Sequence, residues 1–271
     1  MKLAYSTLAC PRWTVEEAVR AAVDDGYEAI EWRLADGELI APETPQAIQR
    51  RLREVPAAYG IEVACLDTSC RVVQGSAQER ATQIEAGRRM IDMAAEMGAL
   101  FVRLFGGPIP EGMTRADILG PSAEVLHTLG EYGASRHVTA LIETHDSWSQ
   151  SEDVLALFRA AASPAVKVLW DIHHTYRSGE APTDSVARLG SAIGYIHVKD
   201  GRPRADKSAG WELCLINEGV VPLREAFAAL KQSGYDGYVS LEWEKKWHPE
   251  IPEPEIALPQ AAPLLRDLWG A

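Results

Sequence analysis

Positive charge is scarce in this chain. Its 271 residues carry 27 Lys and Arg against 39 Asp and Glu, a formal net charge of −12. Binding a nucleic-acid backbone rests on cationic side chains displacing counterions, so this balance argues against such a partner while leaving room for a local basic pocket. Cysteine is sparse as well. Cys10, Cys65, Cys70 and Cys214 form no CxxC pair and no regular framework, which points to reduced thiols rather than to disulfides or a thiolate-rich metal site. No apolar run approaches the roughly 18 residues that a membrane helix needs. The mild apolar stretch in "MKLAYSTLACPRW" ends at Cys10, too early for a secretory hydrophobic region, so the expectation is a cytoplasmic protein with no membrane partner.

Linkers are missing too. No Pro-, Ser- or Gly-rich tract interrupts the chain, and residues 1–271 are expected to form one domain. What fills it is an alternation of short apolar runs with longer helical patterns. The strand candidates are "KLAYS", "EAIEW", "EVACLD", "LFVRLF", "TALIET", "KVLWD", "GYIHV" and "GYVSLEW". Thr14 with Glu17 and Ser76 with Glu79 have the spacing of capping boxes, and Thr44 precedes a proline expected at the first position of a helix. In the helix after Ser76, the recurrence of Ile84, Ile91, Ala94, Ala95 and Gly98 predicts a stripe packed on a sheet. Eight strands with crossover helices predict an α/β fold, a single closed (β/α)8 TIM barrel. An open doubly wound sheet would favour a Gly-rich loop after its first strand, and "AYSTLACPRW" contains no glycine.

In such a barrel the C-terminal strand ends build the active site. The last four strands end in "LIETH", "LWDIHH", "YIHVKD" and "SLEWE", bringing Glu143, Asp171, His197 and Glu242 to one mouth. Three carboxylates and an imidazole in a half-buried site repel one another unless a cation sits among them, which predicts a divalent metal. A mostly oxygen set suits Mn²⁺ or Mg²⁺, with Co²⁺ or Zn²⁺ as alternatives.

The segments "IETH", "WDIHH", "IHVKDG", "NEGVVPL" and "GYVSLEWE", with the earlier "GYEAIEWR", resemble the sugar phosphate isomerase/epimerase family of xylose isomerase-like TIM barrels. The resemblance implies that Glu143 and Glu242 bind the metal and face the substrate from opposite sides, that Asp171 and His197 complete the metal site, and that His174 contacts substrate oxygens. It implies chemistry in which a metal-stabilised enediolate forms when one glutamate removes a proton beside a carbonyl. For epimerisation the other glutamate returns a proton to the opposite face. For isomerisation the proton moves between adjacent carbons. The partner is then a small sugar or polyol. Homo-oligomers are common in this group, and the sequence leaves the subunit number open.

Other residues carry weaker expectations. His145 shares a strand face with Glu143 and is expected either to line the pocket or to bond to a loop backbone. Lys199 contacts a substrate hydroxyl or carboxylate, or pairs with Asp200, which otherwise orients its loop. Glu31 lies in the pocket or bridges to Arg33 or Arg103. Trp13, Trp32, Phe105, Trp148 and Trp243 either wall the sugar or pack the core, and of these Trp13 and Phe105 are assigned to the substrate. His173 has a weaker claim than His174, Glu244 is expected to face away from Glu242 or pair with Lys245 or Lys246, and His248 is read as structural. Arg202, Arg204 and Lys207 are read as a solvated basic loop.

Competing activities share this scaffold. A metal-dependent dehydratase of a cyclic keto acid or keto-polyol is the main alternative, because "LIETH" and "SLEW" also resemble dehydroshikimate dehydratase motifs. An apurinic endonuclease needs further histidines on early strands, whereas no histidine here precedes His127. A sugar-binding barrel without turnover is the remaining reading.

Overall fold

A computed structural model describes residues 1–205 and 210–270, so Lys207 lies outside the described residues. Eight parallel strands form one closed barrel: β1 (Lys2–Ser6), β2 (Ala29–Trp32), β3 (Glu62–Arg71), β4 (Phe101–Phe105), β5 (Thr139–Glu143), β6 (Val166–Asp171), β7 (Ile193–Val198) and β8 (Tyr238–Leu241). They pair in chain order, and β8 closes on β1 with Lys2 opposite Tyr238 and Tyr5 opposite Leu241. Each segment expected to be a strand is one. The main differences are that β3 runs on to Arg71 instead of stopping at Asp67, and that β8 stops at Leu241. Glu242 therefore lies just beyond its strand, where its N–H still donates to the Val198 carbonyl at 3.0 Å.

The helices are α1 (Val15–Asp24), α2 (Gln46–Tyr59), α3 (Ala77–Met97), α4 (Arg115–Ala134), α5 (Ser151–Ala161), α6 (Ile172–Arg177), α7 (Pro182–Leu189), α8 (Leu223–Gln232) and α9 (Pro254–Gly270). Both expected capping boxes form, Thr14 with Glu17 and Ser76 with Glu79. Thr114 makes a third with Asp117, a shorter acid at the same spacing. Pro45 itself occupies the N-cap of α2, so it is not the first helical residue, and Thr44 Oγ1 instead accepts from the Ala41 N–H. The expected α3 stripe forms except at its last residue, with Ile91 and Ala94 buried and Ile84 and Ala95 packed against the core. Gly87, Met90, Ile91, Met93, Ala94 and Met97 are its buried residues, whereas Gly98 is the exposed left-handed C-cap at φ +78°.

Inside the barrel, residues two apart along a strand share a face. One end is plugged by Ala4, Ala29, Ala64, Cys65, Leu141, Leu169, Tyr195 and Tyr238 with Phe101 against them. Two residues further along, the same strands carry Glu31, Arg103, Glu143, Asp171 and His197. The register between β2 and β3 shifts at Ile30/Glu31, and that between β3 and β4 shifts between Asp67 and Arg71, next to those polar residues. Such irregularities re-aim side chains at a barrel rim.

Candidate active site

Glu143 ends β5, Asp171 ends β6, His197 is the penultimate residue of β7 and Glu242 follows β8. Glu143, Asp171 and His197 are fully buried and Glu242 is 5% exposed. Local chain geometry holds them. Asp171 is the N-cap of α6, its Oδ1 accepting the His174 N–H at 2.8 Å, while its own N–H donates to Thr144 Oγ1 at 2.8 Å. His174 Nδ1 lies 2.9 Å from the Thr144 carbonyl, which assigns the proton to Nδ1 and turns Nε2 outward as an acceptor.

His197 is the hub. Its Nε2 sits 3.0 Å from Glu31 Oε2, and its Nδ1 is 3.6 Å from Glu143 Oε1 and 3.4 Å from Glu242 Oε1. Burial alone would lower the imidazole pKa, but Glu31 and Glu242 outweigh it and hold it well above the usual value. The carboxylates respond in kind. Burial raises Glu143, yet Arg103, His145 and His197 bring it below the ordinary range, and Lys199 and His197 bring Glu242 well below it. Arg103 is 1% exposed and bridges Asp67 and Glu143, each at 3.3 Å. Asp67 is pushed up to about 7 by burial, against Arg103 and reinforced by Glu31.

The donor set fits a divalent cation. Glu143, Asp171, His197 and Glu242 each offer a ligand atom, and these atoms lie within 4.8 Å of one another. Both Glu143 oxygens and His197 Nδ1 are buried without a hydrogen-bond partner, and Asp171 Oδ2 has only its ion pair with Lys199. Buried polar groups are almost always satisfied, so this convergence of under-partnered polar atoms fits a cation. Glu31 on Nε2 would orient the imidazole as a ligand through Nδ1, whose proton a cation replaces. Lys199 Nζ adds a positive charge among the same carboxylates, 2.9 Å from Asp171 Oδ2 and paired with Glu242 and Glu244.

Several expectations resolve. Lys199 pairs with those three carboxylates and not with Asp200, which orients its loop by accepting the N–H groups of Gly201, Asn217, Gly219 and Val221. A side chain at Gly219 would meet Asp200 Oδ1 at 2.1 Å, so that loop requires glycine. Glu31 pairs with His197 rather than with Arg33 or Arg103. Glu244 turns towards Lys199, the side it was expected to avoid. His145 is only partly buried, with its ring 4.7 Å from both Phe105 and His174. Phe105 also lies under the Arg103 guanidinium at 3.8 Å. The Trp13 indole donates to Glu255 at the head of α9. Trp32, Trp148 and Trp243 are buried and donate to the carbonyls of Leu52, Gly107 and Pro252, as core residues do. His173 packs edge-on against Trp211, and His248 pairs with Glu244 and Glu250. Arg202 is 54% exposed and paired with Glu212.

Arg33, Asp67 and Arg103 were not assigned to the site from sequence, although Asp67 and Arg103 stand at expected strand ends. The signal that finds them is parity, since each lies two residues from an interior position of its strand: Ala29 and Glu31 before Arg33, Cys65 before Asp67, and Phe101 before Arg103.

Barrel, mouth and ligand set define a class, and the chain belongs to the xylose isomerase-like TIM barrel family, whose model matches residues 19–268. Among particular relatives, it is 23% identical to fructoselysine 3-epimerase of Shigella flexneri over 253 residues, covering 89% of this chain and 90% of the relative. It is 25% identical to L-ribulose-5-phosphate 3-epimerase UlaE of Salmonella paratyphi C, covering 89% and 86%. The solved structure of the IolI protein with a bound zinc atom shares the fold, with a TM-score of 0.83 at 17% identity over 100% of this chain and 98% of its own.

Proposed function

We propose that this barrel is a divalent-metal-dependent sugar or polyol isomerase or epimerase in which Glu143 and Glu242 carry a proton to and from carbon beside a carbonyl. The observation that supports it is the pair of carboxylates brought from β5 and β8 to His197 Nδ1, at 3.6 and 3.4 Å, both held ionised despite burial. An ionised carboxylate placed beside the reacting carbon can accept its proton. The epimerase relatives support the same class.

A divalent ion held by Glu143, Asp171, His197 and Glu242 would supply positive charge for the anion left when the proton departs. The remaining work falls to the chain. One glutamate removes the proton; in an epimerase the other delivers one to the opposite face, and in an isomerase it returns at the neighbouring carbon. His174, whose pKa burial and Lys199 push well down, stays neutral and accepts a substrate hydroxyl at Nε2. Lys199, His145, Phe105 and Glu31 complete the pocket in this reading, with Trp13 at its periphery. The oxygen-rich set favours Mn²⁺ or Mg²⁺, and Co²⁺ and Zn²⁺ belong in the same metal panel. The substrate is a small cytoplasmic metabolite.

Proton NMR in D2O of the metal-loaded protein with ketoses, aldoses and inososes tests the reading. Deuterium beside the carbonyl together with a new isomer is expected, and lost in Glu143→Gln and Glu242→Gln. Turnover retained in both variants sinks the assignment.

One observation favours a second reading, dehydration of a β-hydroxy ketone. His145 offers a ring nitrogen within 4.8 Å of the ligand atoms of Glu143 and His174, placing a second proton-carrying group beside the proposed base. As a carboxylate takes the carbon-bound proton, His145 would give its proton to the departing hydroxyl, releasing water. An unsaturated product selects this outcome.

A further inference from the structure

Four Lys and Arg side chains are buried among the described residues: Arg33, Arg103, Lys199 and Lys245. Arg103 has Asp67 and Glu143, Lys199 has Asp171, Glu242 and Glu244, and Lys245 has Glu253 at 3.0 Å. Arg33 is the exception. It is 5% exposed, yet no carboxylate among the described residues stands within ion-pair distance. Its one side-chain hydrogen bond runs from Nη1 to the Asp67 carbonyl at 3.3 Å, leaving Nε and Nη2 without an acceptor.

Neither nitrogen is among the fully buried unpartnered atoms, so both face accessible space and are free to donate to an oxyanion from outside the chain. The backbone of Arg33 is fixed, its N–H donating to Thr7 Oγ1 at 2.9 Å, so the side chain springs from a held point on the interior face after Glu31. Its charge is felt by Arg103, Asp67, Glu242 and Glu143, which places it at the same mouth. Burial and Arg103 push its pKa down to about 10, with the carboxylates offsetting only part of the cost. In the barrel order, β2 stands across from β6, so Arg33 faces the ligand cluster from the far side.

We infer that Arg33 is a specificity residue that receives an anionic oxygen group, a carboxylate or a phosphate, on the substrate whose carbonyl end lies at Glu143 and Glu242. The inference rests on the isomerase or epimerase reading for the direction of that substrate, but not for the anion site itself. A guanidinium offers two parallel donors that match either oxyanion, and a charge-assisted pair is the strong kind of hydrogen bond. The basic loop at Arg202 is not needed for this, since Arg202 is spent on Glu212.

The test uses three matched probes with Mn²⁺-loaded protein: D-fructose, D-fructuronate and D-fructose 6-phosphate. Titration calorimetry reads binding, and deuterium exchange reads chemistry. Wild type is expected to bind one of the two anionic probes at least about tenfold more tightly than fructose, with fructuronate or the phosphate identifying the group. Arg33→Met brings that ratio near one, and Arg33→Lys restores part of it. Equal binding of all three probes by wild type overturns the inference, whether or not the variant folds. So does a preference that survives Arg33→Met. Anion preference lost in Arg33→Met with no exchange in any probe supports the anion site while counting against the isomerase reading. Exchange in fructose with no anion preference does the reverse.

Discussion

The two ends of the barrel interior are built on the same strands and have opposite characters. At the closed end, Tyr195 and Tyr238 stack at 5.9 Å and Phe101 meets them edge-on at 5.6 and 6.2 Å, over Leu141 and Leu169. Tyr238 reaches outward to Glu62, while the Tyr195 hydroxyl is buried without a hydrogen-bond partner. Two residues along, Leu141 gives way to Glu143, Leu169 to Asp171, Tyr195 to His197 and Phe101 to Arg103. Under-partnered polar atoms concentrate at that second level. One layer is arranged for packing, the next holds charge that packing alone does not satisfy. Substitutions at the two levels should therefore fail in different ways.

The sharpest separation comes from Glu242→Gln. It is nearly isosteric and leaves Lys199 with Asp171 and Glu244, so the fold should persist with a melting temperature within a few degrees of wild type. Turnover should fall by about 10²–10⁴ or more if Glu242 is a proton-transfer group. A large stability loss with unchanged turnover of the folded fraction would make Glu242 a packing residue like those below it.

Lys199→Met probes the charge itself. Asp171, Glu242 and Glu244 lose their shared cation, and breaking a buried pair costs about 3–5 kcal/mol. That loss belongs to the metal-free protein. Thermal unfolding with chelator and then with Mn²⁺ should show a larger metal-induced gain in the variant than in wild type. A metal-free variant as stable as wild type would mean that the three carboxylates relax apart at no cost.

Leu141→Ala tests the other level. The side chain is fully buried, and truncation should cost about 2–5 kcal/mol, with the rate per folded molecule kept. A rate loss larger than the folded fraction explains would show that the plug positions Glu143 through the strand.

This contrast also marks how far the sequence could be read. The strands were legible because period-two patterning and short apolar runs are local, and the four converging residues followed from their common place at strand ends. Pairings were not legible, since they depend on which strands become neighbours and how far each side chain reaches. Glu31 meets His197 across 166 positions, and Lys199 meets Glu244 across 45. Arg33 shows the same limit from the other side. Its lack of a carboxylate appears only once every nearby strand is in place. On α3 only the glycine of the stripe was misplaced, because Gly87, not Gly98, is where Leu129 presses in, 2.7 Å from where a side chain would begin.

The smallest effect lies at the outer edge of the closed end. Lys2 Nζ donates to Glu62 at 2.6 Å, with both side chains 47% exposed. Burial raises the Glu62 carboxyl, but Lys2 and Tyr238 outweigh it and bring it below the usual value. A depressed carboxyl contributes stability that is present above its unfolded pKa, about 4.3, and is lost as pH falls through its lower folded value. Solvent screening limits the pair to about 0.2–1 kcal/mol. Lys2→Met should therefore lower stability slightly at pH 7, and the gap to wild type should close as unfolding is measured at progressively lower pH below that range. Turnover should not change at any pH where both proteins are folded. A gap that widens on acidification would mean that Lys2 acts through packing on the Tyr238 ring, 5.5 Å from its ammonium, rather than through the carboxylate.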